Sequence, residues 1–232
     1  MASIKMGPLV ADIRGQVGGT CFSRGSGGAI ARNSPKPCNP RSTAQNARRS
    51  VFSRLARHWS AELSDAERTG WNDYAAGCTW TNKVGTAATI SGMAAFVRLN
   101  SLLLLIGEAI QEAAPIVLGH AGTPSFTILA DGADLSINIS EPGEPFDKDT
   151  DGSRMVYFVH GPTNAGRSSL SGQRRYLGSV EGDSVAAPTF PDEHTSPITF
   201  SNGQIVSVTG VFIDPNGRIG GEYVAQILAA TP

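Results

Sequence analysis

SNGQIVSVTGVFIDPNGRIGGEYVAQIL, Ser201–Leu228, contains two apolar runs and the turns that start and join them. Gln204–Ile213 and Ile219–Leu228 are rich in β-branched and aromatic residues with apolar side chains at a period of two, the pattern of half-buried strands. Asn202-Gly203 and Asp214-Pro215-Asn216-Gly217 supply the positive φ that tight hairpins demand. Upstream, Ser125–Ala130, Leu135–Ser140, Met155–His160, Arg175–Val180 and Ile198–Phe200 carry the same signal, so residues 115–232 hold seven strand candidates. Strand number and spacing predict an immunoglobulin-like or fibronectin-like β-sandwich. No cysteine falls in this region, so the fold is expected to lack an inter-sheet disulfide.

N-terminal to the strands the period changes. Ser42 with Gln45 and Ser64 with Glu67 are capping-box pairs, and Ser91 is a third N-cap. They predict helices from Ser42 to about Trp59, from Ser64 to near Gly77, and from Ser91 to before Pro115, where proline forces a stop. Ala44, Ala47, Val51, Leu55 and Trp59 fall on one stripe of the first helix. Met93, Phe96, Leu99, Leu102, Leu103 and Ile106 are expected to face inward from the third. Trp59, Trp71, Tyr74 and Phe96 are spaced as helix core rather than as a platform for stacking bases. The expected class is α+β: a basic arm over residues 1–41, three helices over 42–114 and the sandwich over 115–232.

The opening forty residues have no sustained apolar period, and Gly15, Gly18, Gly19, Gly25, Gly27, Gly28, Pro35, Pro37 and Pro40 punctuate them. Such a segment cannot build its own core. Thr20–Ser23 and Ala29–Arg32, flanking Arg24-Gly25-Ser26-Gly27-Gly28, are expected to pair as a hairpin. The chain's net charge of -1 conceals a separation of sign. The first sixty residues hold ten lysines and arginines against the single acid Asp12, leaving nine bases against nineteen acids in the rest. Lys5, Lys36, Arg54 and Arg57 belong to this basic set. Ordering a glycine-rich cationic arm costs about 1 to 2 kcal/mol of backbone entropy per residue, so a partner must supply the compensating contacts. Arg14, Phe22, Arg24, Arg32, Arg41, Arg48 and Arg49 are the candidate partner-binding residues. Dilution of the arginines by glycine, with Phe22 as the arm's aromatic, favours a protein partner over nucleic acid phosphates.

Catalytic patterns are missing from the sequence. His58, His120, His160 and His194 sit in different predicted elements without a carboxylate or cysteine at metal-ligand spacing. G-x-S-x-G, H-E-x-x-H and a phosphate loop are absent, and no enzyme or cofactor is expected. Cys21, Cys38 and Cys78 form an odd set with no C-x-x-C, read as reduced thiols. Asp147, Asp149, Asp151 and Gly152 reproduce the first half of a calcium loop, but the twelfth place is Phe158, which excludes an EF-hand; a plain acidic turn is expected, with calcium as the alternative. Arg174-Arg175, after the Gly/Ser-rich stretch 161–172, reads as a solvated turn or a contact loop. The start lacks the apolar core of a signal peptide and Leu102–Ile106 is too short to span a bilayer, so a soluble, cytoplasmically made protein is expected.

Gly7-Pro8, Arg14-Gly15-Gln16-Val17-Gly18-Gly19-Thr20, Phe22-Ser23-Arg24, Gly28, Arg32, Asn39-Pro40-Arg41-Ser42-Thr43-Ala44-Gln45 and Arg48 together resemble the opening of a family of proteins encoded by tailed bacteriophages and prophages. Leu63-Ser64, Glu67-Arg68, Trp71-Asn72, Tyr74-Ala75, Ser91-Gly92, Phe96 and Arg98-Leu99-Asn100 continue the likeness, which covers about the first half of the chain. The resemblance implies a structural component of the virion, with no catalytic residues to carry over. An arm plus a sandwich then suits a capsid decoration, cement or minor capsid protein that contacts neighbouring subunits as part of a homo-oligomer. A neck or tail component is the alternative, and a nucleic-acid-binding packaging protein a third.

Overall fold

The computed structural model describes every residue except 1, 5–6, 8–11, 26–27, 35–38, 82–85, 167–173 and 231–232. Lys5, Pro8, Ser26, Gly27, Pro35, Lys36, Pro37, Cys38 and residues 167–172 of the Gly/Ser-rich stretch therefore lie outside the described residues. The chain divides into two compact units, Met1–Asn46 and Ala47–Pro232.

In the first unit the expected hairpin is present: β3 (Thr20–Gly25) pairs antiparallel with β4 (Gly28–Asn33), from Gly25 opposite Gly28 to Thr20 opposite Asn33. Two short strands widen it, β1 (Ala2–Ile4) on β4 and β2 (Gly15–Val17) on β3, giving a four-stranded sheet where the sequence predicts one hairpin. Small residues explain why the apolar pattern missed the outer strands, since Ala2-Ser3 and Gly15-Gln16 carry no strand signal. Among residues 7–46 whose side chains are described, none is buried.

Helix α1 (Thr43–Ala61) starts where Ser42 Oγ accepts from the Gln45 backbone N–H at 3.4 Å. Its first eight residues are all exposed; contact begins at Val51, and Leu55 and His58 are buried. The stripe expected from Ala44 to Trp59 therefore packs only in its second half. Helix α2 (Asp65–Gly77) has a complete capping box, with Ser64 Oγ accepting from the Glu67 N–H and Glu67 Oε2 accepting from the Ser64 N–H at 2.7 Å. After the two-residue strands β5 (Trp80–Thr81) and β6 (Ala87–Ala88), α3 (Gly92–Ile106) is capped by Ser91 and ends at Gly107, whose φ of 90° closes the helix. Phe96, Leu99 and Leu103 are buried as expected, whereas Met93, Leu102 and Ile106 are half-buried and the polar Asn100 is fully buried.

Among the described residues seven strands follow: β7 (Ile128–Asp131), β8 (Ser136–Ile139), β9 (Arg154–Asn164), β10 (Arg175–Glu181), β11 (Asp192–Thr195), β12 (Gln204–Ile213) and β13 (Ile219–Leu228). They form a four-stranded sheet in the order β10-β9-β12-β13 and a three-stranded sheet in the order β11-β8-β7, with every strand pair antiparallel. The strand expected at Ile198–Phe200 is displaced to Asp192–Thr195. Ser196 Oγ accepts from the Ile198 N–H at 3.2 Å and makes a turn there, while Phe200 is buried in the core. Asp192 and His194, polar residues that no apolar period reveals, occupy alternate half-buried positions of β11.

Strand β9 explains the layering. Met155, Tyr157 and Val159 point into one core with Ile137 and Ile139 of β8, while Val156 and Phe158 point into another with Leu55, Trp71, Phe96 and Leu99 of the helices. The larger sheet is thus covered on one face by the small sheet and on the other by the helices, an α+β architecture. The helical segment shares its core with that sheet, instead of packing on itself alone. Each fully buried aliphatic side chain at these two interfaces contributes about 1.5 to 3 kcal/mol.

Candidate functional site

Within the N-terminal unit the partner-binding candidates do not converge on one patch. Arg14, just before β2, pairs with Asp12 at 2.8 Å. In the N-terminal sheet the register puts Phe22 and Arg24, opposite Ala31 and Ala29, on one face, and Arg32, opposite Cys21, on the other. Val17 shares the Phe22 face and is 74% exposed. Arg41 adopts a φ of 47° before α1, and its carbonyl accepts from Asn46 Nδ2 at 3.2 Å. Arg48 and Arg49 lie on the exposed first half of α1.

Of these seven, Arg48 lies in a cleft of about 220 Å³ between α1, α3 and the helix-covered face of the large sheet. The rest of that cleft follows no sequence pattern. Arg98 comes from α3 and lies over the Trp80 ring at 5.3 Å. Arg174, immediately before β10, lies 4.1 Å from the centroid of the Phe158 ring, and its Nη1 donates to Glu222 Oε1 of β13 at 2.8 Å. Leu102, Val211 and Ile219 form an apolar floor. Two of the three guanidinium groups are therefore oriented by aromatic faces, and one acid stands against three cations. Arg48, Arg98 and Phe158 are 110 positions apart at the extremes, so no local motif announces them. Of the contact loop Arg174-Arg175, Arg174 belongs to this cleft.

A larger concavity, about 580 Å³, lies between α1 and the 109–112 segment. His58 is clasped there, Nδ1 at 2.6 Å from Glu62 and Nε2 at 3.1 Å from Glu112, with its ring stacked on Phe96. Both imidazole nitrogens are committed to carboxylates, so neither is placed to activate the nearby Ser50 or Ser53.

The carboxylates of Asp147 and Asp151 are tied into local structure, and that of Asp149 has no partner among the described residues. Asp147 Oδ1 accepts from the Asp149 N–H at 3.0 Å and Oδ2 from Thr150 Oγ1 at 2.6 Å. These bonds, that of Thr150 first, hold the Asp147 carboxyl below the usual range. Asp151 accepts from the backbone and hydroxyl of Ser184. Among the described residues, no group of three or more His, Cys, Asp or Glu is placed to hold a metal ion. Cys21 and Cys78 are free thiols. Among the described residues no helix is long and apolar enough to cross a membrane. No family model matches the chain, and no curated protein matches it.

Proposed function

We propose that the chain is a structural subunit of a tailed-phage particle, a capsid decoration, cement or minor capsid protein whose N-terminal sheet and basic α1 contact neighbouring subunits. One observation carries this reading: the described side chains of residues 7–46 include none that is buried. A small sheet without a buried face is not independently stable, so its order calls for a partner surface. The resemblance of the first half to phage and prophage proteins names the kind of partner, the other proteins of a virion. Decoration and neck or tail subunits share these requirements, and location separates them.

The finer fold we infer for residues 115–232 is fibronectin-like. Supporting it, the first, second and fifth strands of the seven share one sheet, and the third, fourth, sixth and seventh the other. The fourth strand pairs with the third, unlike antibody constant domains.

A cryo-EM map of purified particles tests the assignment. Density for the chain on the capsid lattice is the expected result; a copy number tied to the portal or tail moves it there, and absence from particles overturns it. The exposed, basic start of α1 favours a nucleic-acid role, and retardation of DNA in a gel shift at moderate salt, weakening steeply as salt rises, is the result that would support it.

A further inference from the structure

We propose that the cleft holding Arg48, Arg98 and Arg174 receives carboxylates from the 141–151 segment of a second copy of this chain, joining copies head to tail. The inference rests on the assembly reading and specifies one of its contacts.

The cleft is built for an anion. Arg174 is held by Phe158 and Glu222, Arg98 by Trp80, and Arg48 projects from an exposed stretch of helix. Three guanidinium groups against one carboxylate leave an excess of two positive charges around an apolar floor. A guanidinium fork binds a carboxylate in two parallel hydrogen bonds. Glu222 disfavours a phosphate dianion in the same space more than it disfavours a singly charged carboxylate. A volume of about 220 Å³ accommodates a side chain or two, not a folded ligand.

The chain itself carries the complement. Residues 141–151 hold Glu141, Glu144, Asp147, Asp149 and Asp151 against Lys148, all five acids exposed. Lys148 engages Glu141, while Asp147 and Asp151 are occupied within their own copy. Glu144 and Asp149 have no side-chain partner among the described residues. The Asp183 backbone N–H, bonded to the Lys148 carbonyl at 2.9 Å, ties the segment to the loop after β10. A chain with ten bases to one acid in its first sixty residues and nine to nineteen in the rest is complementary to its own copies. Because the two patches differ, the contact is heterologous and generates rings or filaments, the geometries of repeating particle layers.

Sedimentation velocity of the full chain tests this. The wild type is expected to associate in about 50 mM salt and to dissociate near 500 mM, where the screening length is a few ångströms. Arg48→Ala/Arg98→Ala and Glu144→Gln/Asp149→Asn are each expected to raise the dissociation constant about tenfold or more. Their equimolar mixture, retaining one intact cleft and one intact segment, is expected to give a heterodimer and nothing larger. The second variant alters exposed side chains only, so it stays informative if the first misfolds. A monomeric wild type at low salt, association indifferent to both variants, or a mixture that does not pair overturns the contact. So does a dT30 oligonucleotide whose binding is lost in Arg48→Ala/Arg98→Ala, which assigns the cleft to phosphates. A wild type that enters particles yet remains monomeric at low salt overturns the cleft contact and leaves the assembly reading standing; a chain absent from particles overturns that reading instead.

Discussion

The carboxamide of Asn100, fully buried in α3, closes on the backbone of Gln111: Oδ1 accepts from the Gln111 N–H at 2.7 Å and Nδ2 donates to its carbonyl at 3.1 Å. Nδ2 also donates to the Phe96 carbonyl. The side chain thus pairs backbone groups of the segment that leaves α3. That segment carries Glu112, whose carbonyl accepts from Trp71 Nε1 at 2.7 Å and whose carboxylate reaches His58. Asn100→Ala leaves those groups unpaired and opens a cavity, with an expected loss of about 2 to 4 kcal/mol. Urea unfolding of the full chain measures it, and a loss below about 0.5 kcal/mol, the range of an ordinary surface change, contradicts the role given to this residue.

Gly92 opens α3 directly against α2. A Cβ there would lie 2.6 Å from the Asn72 backbone nitrogen and 2.8 Å from the Trp71 carbonyl carbon, and backbone cannot swing aside. Alanine normally favours a helix interior by about 0.5 to 1 kcal/mol over glycine, but the overlap should outweigh that gain. Gly92→Ala is expected to destabilise by about 1 to 3 kcal/mol and to change tryptophan emission as the Trp71–Phe96 edge contact, 5.5 Å between ring centroids, opens. A more stable variant with unchanged emission contradicts this packing.

His160 marks an upper pH window, and Glu67, together with Asp147 and Asp183, a lower one. His160, bonded through Nε2 to Thr209 Oγ1 at 2.8 Å, is held below the usual imidazole value by burial first and by Arg174 second. The unfolded chain then binds the proton first, so stability falls as pH drops through about 6.5 towards the lower folded value. Glu67 is held below the usual carboxylate range by the side-chain and backbone bonds of Ser64. Its contribution is present above the unfolded carboxylate pKa and disappears as pH falls through the folded one. Melting temperatures across pH 7.5 to 3 should show both declines. His160→Gln should flatten the upper window and Glu67→Gln the lower in part; profiles unchanged by either substitution contradict the assignment.

Local chemistry carried most of the fold. Ser64 with Glu67, Ser91, and Asp214-Pro215-Asn216-Gly217 acted through neighbours in sequence, and the helix starts and the last hairpin sit where those residues put them. Gly203 and Gly217 take φ of 85° and 79° at the expected turns. Layering was less legible. Met155–Val159 is an unbroken apolar run, the mark of a strand buried on both faces, and a period of two does not describe it. Asp192 and His194 hid an edge strand because their polar side chains, 2.7 Å apart, occupy the inward positions. The arginine cleft depends on Arg48, Arg98, Arg174 and Phe158 meeting across the fold, which neither spacing nor composition encodes. Arg24 and Arg32 look alike in sequence, yet strand register sends them to opposite faces.

Deletion of residues 1–40 separates folding from assembly, because Ala47–Pro232 forms its own compact unit with both hydrophobic cores. The truncated chain should melt within a few degrees of the full chain, since a change under about 0.5 kcal/mol moves the midpoint of a domain this size by only about 1 to 2 °C. Quantitative mass spectrometry of particles assembled with it, against particles assembled with the full chain, is the measurement. A folded protein missing from the particles is expected; incorporation of the truncated chain at the full-length copy number overturns the assembly role.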